Sequence, residues 1–259
     1  MIAEFYKYHG TGNDFVLIDN RSLGFDKNNI KFISKICSRH TGVGADGLIL
    51  LENDNQYDFK MIYFNSDGKQ TSMCGNGGRC IISFANKLNI IDNKATFSAI
   101  DGIHEGIINK DIIKIKMNKV SIIHEAHNGC ILDTGSPHFV KFCKSINNIN
   151  VFESGRELRN NKEISEDGIN INFTEIIDNF SIKVRTYERG VENETLSCGT
   201  GVIASALSAY SKGLVDTNRI KINTLGGELF VSFKFNSVYD NIWLEGPAIE
   251  VFKGYIWTR

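Results

Sequence analysis

Cys74-Gly75-Asn76-Gly77 and Cys198-Gly199-Thr200-Gly201 are the same short phrase met twice, 124 positions apart. Each leads into a stretch of small and apolar residues that reads as a buried helix. The glycines permit a tight turn and let backbone amides come close to a ligand, and amides at a helix start can hold a carboxylate. A thiol there also feels the positive end of the helix dipole, which lowers its pKa from about 8.5 toward neutrality. Two such thiols from two related half-chains suggest one acid/base group on each face of a substrate, the arrangement a racemase or epimerase needs. A buried cysteine followed by turn glycines explains one such motif well; it explains two at matched places poorly.

The offset of 124 recurs elsewhere. Phe15 corresponds to Phe139, Tyr63 to Tyr187 and Gly102 to Gly226, all in the same order as the cysteines. Fixed-offset landmarks argue for a duplicated unit. Within each half the order is turn, strand, connecting elements, strand, cysteine turn, helix, then paired strands such as Lys114-Ile115-Lys116-Met117 and Glu228-Leu229-Phe230-Val231. The first helix is expected over about 76–88 with Asn89 as its C′ residue, and the polar positions Arg79, Ser83, Asn86 and Lys87 are expected on one stripe. The second is expected over about 200–212, stopping at Gly213. It carries no charge from Thr200 to Ser211, so other structure should enclose it. The expected class is α/β of the α+β type: two pseudo-symmetric domains, each a curved mixed or antiparallel sheet around a central helix. We expect residues 1–118 to form the first, completed by 249–259, and 119–248 the second, with 120–128 as the connection.

Bulk composition narrows the partners. The chain has 259 residues, 42% hydrophobic and 23% charged, with formal net charge −1. That balance argues against nucleic acid, which needs a concentrated basic face. No apolar run approaches the length of a membrane span, and the opening Met1-Ile2-Ala3-Glu4-Phe5-Tyr6-Lys7 does not read as a signal peptide. Six cysteines could suggest disulfides, but a chain of this size needs no staples and a cytosol keeps thiols reduced. No C-x-x-C pair occurs and the histidines are scattered, so no metal site is expected. Cys37, Cys80, Cys130 and Cys143 read as small buried hydrophobes.

Gly42-Val43-Gly44-Ala45-Asp46-Gly47 matches G-x-G-x-x-G, yet a helix-like segment precedes it and a strand-like one follows. That is the reverse of the dinucleotide fingerprint, so it reads as a helix-to-strand turn. Glu188-Arg189 stands where the first half has Asn65. Arg189 could grip a carboxylate bidentately or sit in a surface ion pair. Asn13 and His138 occupy corresponding turns, where each could simply hold its turn.

Taken together, His9-Gly10-Thr11-Gly12-Asn13-Asp14-Phe15, Phe64-Asn65-Ser66-Asp67-Gly68, Met73-Cys74-Gly75-Asn76-Gly77-Gly78-Arg79-Cys80, Tyr187-Glu188-Arg189-Gly190 and Ser197-Cys198-Gly199-Thr200-Gly201 resemble the signatures of the diaminopimelate epimerase family. The resemblance implies epimerisation of LL- to meso-diaminopimelate for lysine and peptidoglycan synthesis, with no cofactor and no metal, in a cytoplasmic homodimer. It implies Cys74 and Cys198 as the acid/base pair. Asn13, Asn65, Asn170, Glu188 and Arg189 would contact substrate, and the amides of Gly75-Asn76 and Gly199-Thr200 would cradle the carboxylate. His138 and Glu188 would tune the thiols. Two departures stand out: Ser136 replaces an Asn found in many members, and Gly47 replaces a substrate-facing Gln found in some. The rival readings are another cofactor-independent racemase on this fold, of the proline racemase kind, and a thiol-redox protein.

Overall fold

The computed structural model describes residues 2–257 and divides the chain into two units, residues 1–115 with 246–259, and residues 116–245. In the first, β1 (Ile2–Gly10) and β2 (Asn13–Asp19) form a hairpin. Its turn places Thr11 and Gly12 at φ 50° and 89°, a region glycine enters without steric cost. Helix α1 (Ile30–Cys37), capped by the Asn29 side chain accepting from Phe32 N–H, carries the chain to β3 (Gly47–Glu52), which runs parallel to β2. Every residue of β3 is buried, as a central strand flanked on both sides requires. Next come β4 (Phe59–Asn65) and the two-residue β5 (Gln70–Thr71), then helix α2 (Gly75–Lys87). After it β6 (Lys94–Ala99) pairs parallel to β4, and β7 (Gly102–Asn109) and β8 (Ile112–Met117) follow antiparallel.

The second unit repeats this order. It comprises β9 (His124–Ala126), β10 (Gly129–Asp133), β11 (Pro137–Phe142), α3 (Val151–Arg159), β12 (Asn170–Asp178), β13 (Ser181–Glu188), β14 (Asn193–Thr195), α4 (Gly199–Ser211), β15 (Arg219–Thr224), β16 (Gly227–Asn236) and β17 (Val238–Gly246). Helix α4 begins and ends 124 residues after α2. Strand senses match too: β11 and β12 are parallel, as are β13 and β15, and the remaining pairs are antiparallel. Two α/β units of one topology, each a mixed sheet with a central helix, therefore make up the fold.

The strands that trail the repeats pair outward from it. β9 follows the first repeat and pairs with β10, the opening strand of the second. The last strand, β18 (Ile249–Trp257), follows the second repeat and pairs antiparallel with β1, Ile2 opposite Trp257. The stretch 120–128 is therefore more than a connection. Val120 bridges to Tyr239, and β9 lies within the stretch.

Each central helix meets several strands of its own sheet. α4 is buried at ten of its thirteen positions, and side chains such as Val202, Ile203 and Leu207 each contribute roughly 1.5–3 kcal/mol by leaving water. Both helices end as expected: Asn89 (φ 56°) and Gly213 (φ 64°) are left-handed residues just past their caps. The expected polar stripe of α2 holds for Asn86 and Lys87, which are exposed, and for half-buried Ser83. It fails at Arg79, which has no exposed surface. Cys37, Cys80 and Cys130 are buried, whereas Cys143 is only half-buried, its thiol directed at the Lys141 carbonyl at 3.6 Å.

Candidate active site

Each unit presents a cysteine as the N-cap of its central helix. In the first, Cys74 has extended backbone (φ −105°, ψ 148°) and its Sγ accepts from Gly77 N–H at 3.2 Å. A Cβ on Gly77 would stand 3.2 Å from that sulfur and 3.2 Å from Ile49 Cδ1, so glycine keeps this first turn close to the thiol. Asn76 Nδ2 donates to Asn13 Oδ1 at 3.2 Å, and Asn13 Nδ2 donates to Asp46 Oδ2 at 2.7 Å. Asp46 shares Arg39 with Asp14, and Asp14 also pairs with Lys7 at 2.6 Å. Those two cations hold the Asp14 carboxyl well below the usual carboxylate range against its partial burial. Asn13, Cys74 and Asn76 thus meet at the start of α2. Asn65 is exposed at the end of β4, opposite Gly47 in the strand register.

Gly47 has a packing reason of its own. A Cβ there would lie 2.5 Å from the Phe64 carbonyl oxygen and 2.5 Å from the Tyr63 ring. Tyr63 is buried and packs edge-on against Phe15, ring centroids 5.7 Å apart. The Tyr63 ring therefore occupies the space into which a side chain at residue 47 would extend.

In the second unit Cys198 caps α4 with extended backbone (φ −112°, ψ 115°), and its sulfur lies 3.5 Å from Thr200 Oγ1. Thr200 is held from two sides: its carbonyl accepts from Thr134 Oγ1 at 2.8 Å, and its hydroxyl lies 2.9 Å from His138 Nε2. His138 is wholly buried on β11, with Nδ1 3.0 Å from Asn172 Nδ2. The other proton of that amide goes to the Phe139 carbonyl, and its Oδ1 accepts from Thr186 Oγ1 at 3.0 Å. An amide nitrogen only donates, so His138 Nδ1 is the acceptor and the ring proton sits on Nε2, directed at Thr200. Burial, reinforced by the Arg189 charge, pushes the His138 pKa down to about 3. The imidazole is neutral and serves as a fixed donor.

Asn170 is buried and fully engaged. Its Oδ1 accepts from Arg189 N–H at 2.9 Å, and its Nδ2 donates to Ser136 Oγ at 2.5 Å and to the Pro137 carbonyl at 3.0 Å. Ser136 thus fastens Asn170 directly. Glu188 is half-buried at the end of β13, and the exposed Arg189 donates from Nη1 to the Gly168 carbonyl at 3.1 Å.

Two polar residues of this architecture are not assigned to the site by the sequence reading, Arg79, placed there on a solvent stripe, and Asn172. The repeat held a signal for both. Their partners at the 124-residue offset are Ile203 and Leu48, and a polar side chain facing an apolar mate in a duplicated core marks a change of task.

Comparison with known proteins agrees with this geometry. The sequence model of the family described as "Diaminopimelate epimerase" matches twice, over residues 5–123 and 130–248, one copy for each half. A diaminopimelate epimerase of Flavobacterium psychrophilum is 52% identical over 250 residues, covering 96% of this chain and 98% of that protein. One of Aquifex aeolicus is 39% identical over 272 residues, covering 97% and 96%. Among solved structures, a Bacillus anthracis protein of the PhzF phenazine biosynthesis family superposes with TM-score 0.75 at 16% identity, covering 99% of both chains. A hydroxyproline epimerase from Agrobacterium vitis gives 0.73 at 12%, covering 98% of this chain and 92% of that one. At such identities these two share the fold. The family match over both halves and the near full-length relatives establish that this chain belongs to the diaminopimelate epimerase family, and it is an isomerase of that family.

Proposed function

We propose that Cys74 and Cys198 are the two bases of the epimerisation, one addressing each face of the substrate α-carbon. The reading is carried by one observation: each cysteine is the N-cap of the central helix at the same place in a duplicated unit. One sulfur, as thiolate, takes the α-proton and becomes a thiol. The other, as thiol, gives its proton to the opposite face and becomes a thiolate. No net oxidation occurs, and the reverse reaction exchanges the roles. Negative charge developing on the substrate carboxylate is met by first-turn amides at Gly75-Asn76 and Gly199-Thr200, which need no reorganisation to receive it. Asn13, Asn65, Asn170, Glu188 and Arg189 form the remaining contacts with diaminopimelate, and His138 and Glu188 tune the thiols.

The test is incubation with LL-diaminopimelate in deuterated water, following deuterium uptake at the α-carbon and formation of the meso isomer. Cys74→Ser and Cys198→Ser should each remove most turnover while circular dichroism shows an intact fold. Near-normal epimerisation by either variant defeats the assignment. Proline and hydroxyproline in the same assay should show no α-exchange.

A two-thiol site works only where thiols stay reduced, so the compartment we assign is the cytoplasm. We also assign a homodimer. The edge strand β18 leaves Val251, Phe252, Tyr255 and Trp257 exposed, an apolar strand edge that folded proteins ordinarily cover. Sedimentation equilibrium of the parent and of Val251→Lys checks this: the parent should sediment as a dimer and the variant as a monomer.

A further inference from the structure

Five residues after Cys74, helix α2 carries a guanidinium with no exposed surface. A buried cation costs several kcal/mol unless other charges compensate it, so its surroundings are informative. Arg79 donates from Nη1 to the Gly75 carbonyl at 3.2 Å, from Nη2 to Asn76 Oδ1 at 3.0 Å and Thr11 Oγ1 at 3.4 Å, and from Nε to the Pro247 carbonyl at 3.4 Å. All four acceptors are neutral. Burial brings its pKa down to about 10, which still leaves it protonated at neutral pH.

The groups that share its electrostatic neighbourhood are Cys80 and Cys74. Cys80 is fully enclosed, and burial pushes its thiol far up, so it stays neutral. The strands packed on α2 carry their own titratable groups. On β1 are Lys7 and Tyr8; Lys7 pairs with Asp14 of β2, and Tyr8 bonds Glu250. On β3 Glu52 pairs with Lys27, and on β7 His104 faces Asp101 while Glu105 is exposed. Among the described residues none of these carboxylates pairs with Arg79. The ionisable group that remains in its electrostatic neighbourhood is the Cys74 thiol.

Arg79 also fixes the amides beside that thiol. A guanidinium only donates, so Asn76 must turn Oδ1 toward it and Nδ2 toward Asn13 Oδ1. Asn13 must then turn its own Nδ2 toward Asp46. The second unit has nothing equivalent: residue 203 is a buried isoleucine, and the neutral His138 network stands beside Cys198 instead.

We infer that Arg79 is a positioning residue of the α2 half-site, whose fixed buried charge favours the Cys74 thiolate and whose donors hold Asn76 and Asn13 in a single orientation. The inference rests on Cys74 being one of the two bases proposed above. The two half-sites then share a reaction but not a means of tuning, one using a permanent charge and the other a neutral donor.

The test is the pH dependence of alkylation by iodoacetamide, read by peptide mass at one cysteine at a time. In a Cys198→Ser background, Arg79→Gln should slow Cys74 alkylation at pH 7 about tenfold, equivalent to one pKa unit in thiolate fraction. Arg79→Lys, which keeps the charge, should stay within about threefold of the parent on the same scale. In a Cys74→Ser background, Arg79→Gln should leave the Cys198 profile in place. An unshifted Cys74 profile in folded Arg79→Gln overturns the inference. If that variant does not fold, the Cys198→Ser protein with Arg79 intact decides the matter: Cys74 must titrate below the ordinary thiol value of about 8.5, and a value at or above it overturns the inference equally. Turnover by Cys74→Ser, in contrast, would remove the base assignment itself whatever the alkylation shows.

Discussion

His138 Nε2 lies 2.9 Å from Thr200 Oγ1, and the Asn172 amide on the far side of the ring makes the imidazole the donor in that bond. The Thr200 hydroxyl, its oxygen accepting from His138, has its own proton free to donate to the Cys198 sulfur 3.5 Å away, as it must when that sulfur is a thiolate. The chain from Asn172 through His138 to Thr200 therefore ends at the Cys198 sulfur. A hydrogen bond to a charged group contributes about 1.5–3 kcal/mol. Thr200→Val should lower kcat/KM by roughly 10- to 100-fold, an estimate on that same scale, and move Cys198 alkylation to higher pH, while Thr200→Ser should retain most activity. Equal alkylation profiles for the Val and Ser variants would show that the hydroxyl does not act on the sulfur.

The same histidine makes stability pH-dependent with a definite sign. Its folded pKa of about 3 lies below its ordinary value of 6.5. Between those values the unfolded chain binds a proton that the folded chain refuses, so stability rises with pH across the window. The contribution is complete above pH 6.5 and is lost as pH falls toward 3. Urea midpoints at pH 7 and pH 5 should therefore differ more for the parent than for His138→Gln. The pH–rate profile should also lack a histidine ionisation near 6.5 that disappears in that variant.

Gly47 should resist enlargement. The Phe64 carbonyl is backbone and cannot rotate away, and the Tyr63 ring is locked by Phe15. Gly47→Gln should destabilise by about 1–3 kcal/mol, the usual cost of overpacking. Adding Tyr63→Ile should recover only part of the loss, because the carbonyl contact remains. Thermal melts of the three proteins measure this, and a melt of Gly47→Gln equal to the parent's would show that the sheet accommodates the side chain.

Two sulfurs with the roles proposed for Cys74 and Cys198 should also be able to react with each other. Treatment with hydrogen peroxide, which accepts two electrons as the two thiols lose their protons, should join Cys74 to Cys198 and abolish turnover, and dithiothreitol should restore it. Peptide mapping identifies the bond. Inactivation with cysteine oxidised elsewhere, and no 74–198 crosslink, would count against the two-base reading.

Much of this was legible before any coordinates. The duplication showed in Phe15 and Phe139, Tyr63 and Tyr187, and the two cysteine phrases, because a buried aromatic or a turn glycine is tied to its place in the fold and survives drift of the sequence around it. Helix ends were legible for a similar reason: Asn89 and Gly213 can take the left-handed conformation that stops a helix. Arg79 was misread because charged residues are seldom fully buried, and its spacing from Ser83 and Lys87 suits a solvent stripe. The Asn172 amide gave no local sign of its role, since its partners His138 and Thr186 lie on neighbouring strands. Long-range pairing of that kind is set by sheet register, which composition does not encode. The bond from Asn170 to the Ser136 hydroxyl is another such pairing, legible only once the two strands are side by side.

The exchange of trailing strands bears on how the chain is made. β1 leaves the ribosome ahead of the other strands of the fold, but the strand that closes its outer edge is β18, which follows β17. At about 5–20 residues per second, the row of backbone donors and acceptors along β1 waits ten seconds or more for its neighbour. The second repeat has its flanking strand β9 already in hand when β10 emerges. The later-made half can thus mature first, and the earlier-made half stays dependent, until β18 has been made, on whatever shields a naked strand from its surroundings.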